Sequence, residues 1–195
     1  MSTTGVQATS PRRHLSDKRA RTVERLTEAA VDELRENGYQ GLSVRAVAAR
    51  SGVAPATAYN YFSSKEHLVA EVFWRRISQQ EERSLDRRRS AATRAADVLS
   101  DFALVVANET ELAAACTVAL LADDPEVHEL RTKIGRLLHT RLVAALDGAA
   151  SPAAIRTLEF AVSGALIEVG TGHLAYDDVR SLLAESAALI LGGSA

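Results

Sequence analysis

Hydroxyl and ammonium groups are concentrated in one short segment of the chain. Thr57, Tyr59, Tyr61 and Lys65 occur close together, and helical spacing predicts that they lie along the exposed side of one short helix and the start of the next. O–H and N–H donors in this arrangement suit phosphate oxygens, and such contacts position a protein on its partner without reading a sequence. The segment therefore predicts contacts with a phosphate-bearing partner.

Two short helices must hold these groups in place. Ser43 is suited to cap the first helix, which stops at Gly52, and Pro55 suits the first turn of the second, which runs to Phe62. Residues 43–62 thus have the proportions of a helix-turn-helix, a motif that inserts its second helix into the DNA major groove. A plain helical hairpin is the alternative that the spacing leaves open.

Helical periodicity extends over most of the chain, and no alternating apolar run bounded by turn residues predicts a strand. We therefore predict an all-α fold of about nine helices, preceded by a flexible arm over residues 1–16. The predicted helices run from Ser16 or Asp17 to Asn37-Gly38, Ser43 to Gly52, Pro55 to Phe62, Ser63 (at capping-box spacing from Glu66) to beyond Gln80, Ala91 to Ala107, Leu112 to Leu121, Asp124-Pro125 to Gly148, Ser151-Pro152 to about Gly170, and Tyr176 to Leu191.

The composition narrows the class of protein. Of the 195 residues, 47% are apolar and 25% are charged, which is enough for the core of one domain or of a domain with an appendage. The single cysteine cannot form an internal disulfide, the first 16 residues lack the apolar run of a signal peptide, and no stretch of about 18 uncharged apolar residues predicts a membrane span. We therefore expect a soluble, cytoplasmic protein with no membrane partner.

The formal charge is unevenly distributed along the chain. Residues 1–65 contain ten Lys/Arg and six Asp/Glu, a charge of +4, whereas residues 66–195 carry −6. A basic first third favours an anionic partner for this part, although ordinary fluctuation of composition produces such a split as well.

The segment from Gly52 to Glu66, GVAPATAYNYFSSKE, resembles the most recognisable stretch of the TetR family of bacterial transcriptional regulators, and VRAVA at residues 44–48 matches its supporting helix. The motif resemblance covers about Arg19 to Ile77, beyond which only the number and length of the helices match. It implies a three-helix DNA-binding domain over residues 17–80, joined by a long helix to a ligand-binding and dimerisation domain over residues 81–195. A ligand-responsive regulator, by family default a repressor, is the function that it implies.

The resemblance also implies roles for individual residues. Arg45 falls where family members reach a base edge, and an arginine fork binds guanine O6 and N7 together; a solvated or phosphate-bound arginine is the alternative. The positions that contact phosphates are those of Thr57, Tyr59, Tyr61 and Lys65, although Tyr59 could instead be a core residue. The positions that set sequence preference are those of Pro55, Ala56 and Asn60. Ala54 departs from the hydroxyl residue that the family often has, which removes a possible helix cap.

The last two predicted helices are rich in Ala and Leu and poor in charge, so each must be buried on more than one face. Because family members dimerise through this domain, we expect a four-helix interface around a two-fold axis, with a purely intramolecular core as the alternative. The dimer would place two recognition helices about 34–36 Å apart on a pseudo-palindromic operator. The candidate interface residues are Ile155, Ala161, Gly164, Ala165, Leu182 and Leu189.

The resemblance further implies an effector pocket between the predicted fifth to eighth helices and the long fourth helix. The candidate lining residues, each of which could instead be plain core, are Trp74, Leu99, Phe102, Val106, Cys116, Leu120, Ile134, Leu138 and Phe160. Few aromatic and many aliphatic side chains favour an elongated lipophilic ligand such as a fatty acid or an acyl-thioester. Its binding would shift the fourth helix and release the operator.

No catalytic residue, metal site or cofactor is expected. The five histidines lack the i, i+4 pair of a metalloprotease, Ser163-Gly164 lacks the flanking glycine of a nucleophile elbow, and Cys116 lies in an apolar run. An enzyme is therefore the weaker hypothesis. An adaptor that binds only protein would leave Arg45, Lys65 and the predicted exposed tyrosines unexplained.

Overall fold

The computed structural model describes residues 11–81 and 86–192, and these contain nine α-helices, one 3₁₀ turn and no strand. The predicted all-α class is confirmed. The helices are α1 (Pro11–Gly41), α2 (Val44–Ser51), α3 (Pro55–Tyr59), α4 (Lys65–Ser78), α5 (Ala91–Ala103), the 3₁₀ turn Leu104–Val106, α6 (Thr110–Leu120), α7 (Pro125–Leu146), α8 (Pro152–Gly170) and α9 (Tyr176–Gly192).

Side-chain caps set most of the helix starts. Hydroxyl or carboxylate oxygens accept hydrogen bonds from first-turn N–H groups at Ser43, Ser64, Ser90, Asp124 and Ser151. Proline occupies the first turn of α3, α7 and α8, where its missing N–H has no helical partner to lose. The predicted starts of α2, α3, α7 and α8 are therefore correct.

The first helix is longer than predicted. It begins at Pro11, so residues 11–16 are helical and do not belong to an arm, while residues 1–10 lie outside the described part of the chain. Proline is tolerated in a first helical turn, and no residue between it and Asp17 breaks a helix. At the other end, Gly38 interrupts the helix as predicted, with φ of 62° and ψ of −179°.

Three further boundaries differ from the prediction. Helix α3 ends at Tyr59 because the N–H groups of Tyr61 and Phe62 both donate to Ala58 O, which closes a turn. Ser64, not Ser63, caps α4, through its Oγ and the N–H of His67 at 3.0 Å, and α4 ends before Gln80. The predicted helix from residue 91 to 107 is α5 followed by the 3₁₀ turn.

Helix α4 packs against helices that precede it and helices that follow it along the chain. It contacts α1, α6 and α7, while α9 packs against α5 and α8. Phe73 of α4 meets Phe102 of α5 edge to face, with ring centroids 6.0 Å apart. Buried residues from α1 to α9 form one connected core. Because this core is closely packed, a displacement of α4 requires its neighbours α1, α6 and α7 to move as well.

Within the described ranges, no single helix is long and apolar enough to cross a membrane. The segments Ala91–Val106 and Thr110–Leu120 together have the required length and composition, but they are bent by 105°.

Candidate DNA-binding surface and cavity

Helices α2 and α3 are held together by a small apolar core and a tight turn. Val47, Ala48 and Ala58 are fully buried, and the N–H of Val53 donates to Ala48 O at 3.0 Å. Gly52 closes α2 in the left-handed conformation, with φ of 64° and ψ of 28°, which glycine adopts at low cost. The observed geometry is that of a helix-turn-helix.

Six of the eight predicted DNA contacts are exposed. They are Arg45 on α2 and Pro55, Ala56, Thr57, Tyr59 and Asn60 on α3 and at its end. Tyr59 is 52% exposed, so the alternative that it is a core residue is wrong. Tyr61 is half-buried, and Ala54 precedes α3 without a side-chain cap, as its lack of an oxygen requires.

The two arginines of α2 have different surroundings. Arg50 donates from Nε to Glu33 at 2.6 Å and from both terminal nitrogens to Glu36, which ties α2 to α1. The hydrogen bond from Arg50 lowers the pKa of Glu36 below its ordinary value. Within the described residues, no carboxylate forms an ion pair with Arg45. Arg45 is therefore the α2 cation that remains available to an external anion.

Lys65 is more enclosed than its predicted role implies. Its Nζ donates to Tyr39 O at 3.0 Å and lies 4.1 Å from the centroid of the Tyr39 ring. The Tyr39 hydroxyl donates to Glu66 at 2.7 Å, and burial together with this carboxylate raises the pKa of Tyr39. One of the three ammonium donors of Lys65 is therefore used inside the protein. Its contact with phosphate stays a prediction.

Polar links join α1 and α4 to the later part of the chain. Ser64 Oγ donates to Asp124, the cap of α7, at 2.7 Å. Glu109, which precedes α6, forms ion pairs with Arg35 of α1 and with Arg76 of α4, each at 2.9 Å. These contacts were not predicted from the sequence because the partners are remote along the chain.

A cavity of about 290 Å³ lies among α4 to α9. Its wall includes Phe73 of α4, and six of the nine predicted lining residues contribute to it: Phe102, Val106, Cys116, Leu120, Ile134 and Leu138. Burial raises the pKa of the Cys116 thiol, which keeps this side chain neutral. Sequence analysis missed Arg131 and Tyr176, which also line the cavity.

Three predicted lining residues lie elsewhere. Leu99 is fully buried in the core, Trp74 packs against both the main core and a small cluster of Ala70, Val127 and Leu130, and Phe160 is 67% exposed on α8. Apolar spacing identifies the hydrophobic face of a helix but not the neighbour that this face meets.

Helices α8 and α9 expose large apolar side chains. Leu182 and Leu189, both predicted interface residues, are exposed, Leu189 by 78%, and Phe160 and Ile167 are exposed on α8. The other predicted interface residues differ in accessibility: Gly164 is exposed, Ala161 and Ala165 are half-buried, and Ile155 is buried in the protomer core. Ile155 therefore has little surface to offer a partner.

In the part of the chain that the structure describes, no group of three His, Cys, Asp or Glu side chains is arranged to hold a metal ion. His139 pairs through Nδ1 with Glu159 at 2.7 Å, and this carboxylate also pairs with Arg156.

Comparison with known proteins points to a single family. Residues 26–72 match the model described as "Bacterial regulatory proteins, tetR family". An uncharacterized HTH-type transcriptional regulator of Mycobacterium tuberculosis is 42% identical over 175 residues, which is 89% of this chain and 82% of that protein. The fatty acid metabolism regulator protein of Bacillus subtilis is 31% identical over 116 residues, 58% of each chain. The crystal structure of a TetR transcriptional regulator from Rhodococcus sp. RHA1 superposes with a TM-score of 0.73 at 23% identity, covering 88% of this chain and 98% of that one.

Proposed function

The chain belongs to the TetR family of bacterial transcriptional regulators, and from this premise we propose that it is a repressor that binds a pseudo-palindromic operator as a homodimer and is released by a small lipophilic effector. Residues 17–80 act as the DNA-binding domain and residues 81–195 as the effector and dimerisation domain. We assign the operator contacts to Arg45, Pro55, Ala56, Thr57, Tyr59, Asn60, Tyr61 and Lys65.

The accessibility of these side chains supports the operator contacts. Arg45 is exposed and has no carboxylate partner among the described residues, which suits a guanidinium that meets a base edge or a phosphate. Thr57 and Tyr59 are exposed on α3 and carry hydroxyl donors. The exposed Pro55 and Ala56 suit apolar contact with thymine methyl groups.

The exposed apolar side chains of α8 and α9 support the dimer. Phe160 and Ile167 are seven residues apart on α8, and Leu182 and Leu189 are seven apart on α9, so each pair recurs on one face of its helix. A two-fold axis that brings this surface against its copy would remove all four side chains from water, each contributing up to about 1.5–3 kcal/mol on full burial.

The observation that carries the proposal is the position of Phe73. This residue belongs to α4, which begins immediately after the helix-turn-helix, and it also forms part of the cavity wall. A ligand that fills the cavity contacts α4 directly, and α4 packs against α1. The apolar wall suits an acyl chain, and the relative from B. subtilis is named for fatty acid metabolism. An effector of this class would bias the position of α4 and so of the two recognition helices.

Gel retardation with the DNA upstream of the protein's own gene tests the operator contacts. We expect retardation by the wild type and clear weakening by Thr57→Ala and Tyr59→Ala. Thr132→Ala is the matched control, because Thr132 is an exposed threonine of α7 that donates only to its own helix. Equal retardation by Thr57→Ala, Tyr59→Ala and the wild type would refute the assigned contacts.

The effector is tested in the same assay with palmitate and palmitoyl-CoA. Coupling of the usual size would lower operator affinity by about 5–150-fold. If either ligand binds together with the operator and neither changes the affinity of the other, release by that ligand is refuted.

A further inference from the structure

The cavity wall is not uniformly apolar. It includes buried side chains such as Phe73, which is 2% exposed, and Phe102, whereas Leu121 and Ile167 are exposed in the single chain. Arg131 is half-buried and is the only charged side chain among the described residues that line the cavity. An arginine stays protonated, so one part of an otherwise apolar site carries a permanent positive charge.

The hydrogen bonds of Arg131 occupy one side of its guanidinium. Nη1 donates to Leu120 O at 2.8 Å and to Ala122 O at 2.9 Å, which fixes the group at the end of α6. An arginine has five N–H donors, and these two bonds account for both donors of Nη1. Within the described contacts, Nε and Nη2 are left, and they form the edge that meets a carboxylate or phosphate through two parallel hydrogen bonds.

The other polar groups of the described wall carry no charge. The hydroxyl of Thr117 donates to Ala113 O at 3.3 Å, and that of Ser163 donates to Glu159 O at 2.8 Å, so both protons are used within their own helices. Burial raises the pKa of Tyr176, which leaves its hydroxyl neutral. No acidic side chain is found among the described lining residues, so nothing on the wall repels an anion.

We propose that Arg131 binds the head group of the effector, which is an amphiphile with an apolar chain against Phe73 and Phe102 and an anionic carboxylate or phosphate on Nε and Nη2 of Arg131. This inference rests on the proposed function, since it specifies the ligand of the same cavity. The fixed guanidinium needs little reordering on binding, and the partly desolvated site strengthens its attraction for an anion. The apolar wall selects the length of the ligand's apolar chain, and Arg131 selects the charge of its head group.

Calorimetric titration with ligands that differ only in their head group tests the proposal on the unmodified protein. The ligands are dodecanoate, dodecyl phosphate and the neutral 1-dodecanol. A charge-assisted hydrogen-bonded pair predicts that one or both anions bind about 10- to 100-fold more tightly than the alcohol, and the stronger of the two identifies the head group as carboxylate or phosphate. Equal affinity for all three ligands would overturn the role of Arg131 but leave the lipophilic cavity intact. A failure of all three to bind would instead overturn the proposed effector class.

Arg131→Gln separates recognition from structure. Glutamine keeps an N–H donor for the carbonyls that end α6 but removes the charge, so we expect anion affinity to fall by about 10- to 100-fold while dodecanol affinity is unchanged. Arg136→Gln is the matched control, because Arg136 is exposed on the same helix and does not line the cavity. An equal loss of affinity for dodecanoate and dodecanol in Arg131→Gln would mean that the arginine only holds the wall in place, which overturns the proposal.

Discussion

The hydrogen bond between Ser64 and Asp124 connects α4, the helix that follows the helix-turn-helix, with α7, a helix of the cavity wall. Each residue caps a helix: Ser64 Oγ accepts from the N–H of His67, and Asp124 Oδ1 accepts from the N–H groups of Glu126 and Val127. Ser64 also donates to Asp124 Oδ2 at 2.7 Å. The capped helices are α4, which follows the helix-turn-helix, and α7, which lines the cavity.

The expected energies follow from these bonds. Each cap contributes about 1 kcal/mol to the free energy of unfolding, and the half-buried bond to a carboxylate contributes about 1–2 kcal/mol. Ser64→Ala and Asp124→Ala each lose one cap and the shared bond, about 2–3 kcal/mol. The double variant loses two caps but the shared bond only once, about 3–4 kcal/mol. The sum of the two single-variant losses should therefore exceed the loss of the double variant by about 1–2 kcal/mol.

Urea unfolding of the wild type, Ser64→Ala, Asp124→Ala and the double variant measures this coupling energy between the two side chains. Ser151→Ala is the matched control, because Ser151 caps α8 through Ala154 N at 3.1 Å without a bond to Asp124. Its loss of about 1 kcal/mol should add to that of Asp124→Ala. Strict additivity of Ser64→Ala and Asp124→Ala would refute a stabilising bond between the caps.

The same bond predicts a pH dependence. The hydrogen bond from Ser64, followed by those from the α7 backbone, lowers the pKa of Asp124 in the folded state. Its contribution to stability is therefore fully present above the unfolded-state pKa of about 3.9 and is lost as the pH falls through the lower folded value. The stability difference between the wild type and Asp124→Ala should shrink as the pH falls below about pH 4.

Three other outcomes are expected. Leu189→Glu should give a monomer by light scattering and lose operator binding, because it places a charge at an apolar interface. Val143→Glu, at an exposed apolar position on α7, should leave the dimer intact. A dimeric Leu189→Glu would argue against the α8–α9 interface. Arg45→Ala should weaken operator binding. It should also reduce the slope of log K for operator binding against log salt by up to about 2 per dimer, one unit for each lost cation. An unchanged affinity and slope would exclude Arg45 from the contact with DNA. Cys116 should resist a thiol reagent at pH 8 in the native protein and react in urea, because burial raises the pKa of its thiol and blocks access. Fast reaction of the native protein would contradict this burial.

Local signals in the sequence were sufficient for most of the fold. Ser43 and Gly52 bound α2, and Asp124 with Pro125 starts α7, because a cap or a first-turn proline acts on groups only a few residues away. The same locality explains the errors: Ser63 and Ser64 are equally suited as caps by type, and only the hydrogen bond to His67 N selects Ser64.

The cavity was predictable only in part. Phe102, Cys116 and Ile134 were recognised as apolar residues at helical spacing, and they do line it. Leu99 and Trp74 satisfy the same criterion but pack in the core without lining the cavity. Spacing within one helix carries no information about the helix that lies opposite.

The family, the all-α class and the exposed side chains of the short α3 can be predicted from the sequence, because they depend on residue types and on contacts within a few turns. The pairing of Arg50, the partial enclosure of Lys65 by Tyr39 and the place of Arg131 in the cavity wall depend on how the helices pack. A charged side chain acquires its role from the potential and the hydrogen-bond partners around it, and packing brings those partners from distant parts of the chain.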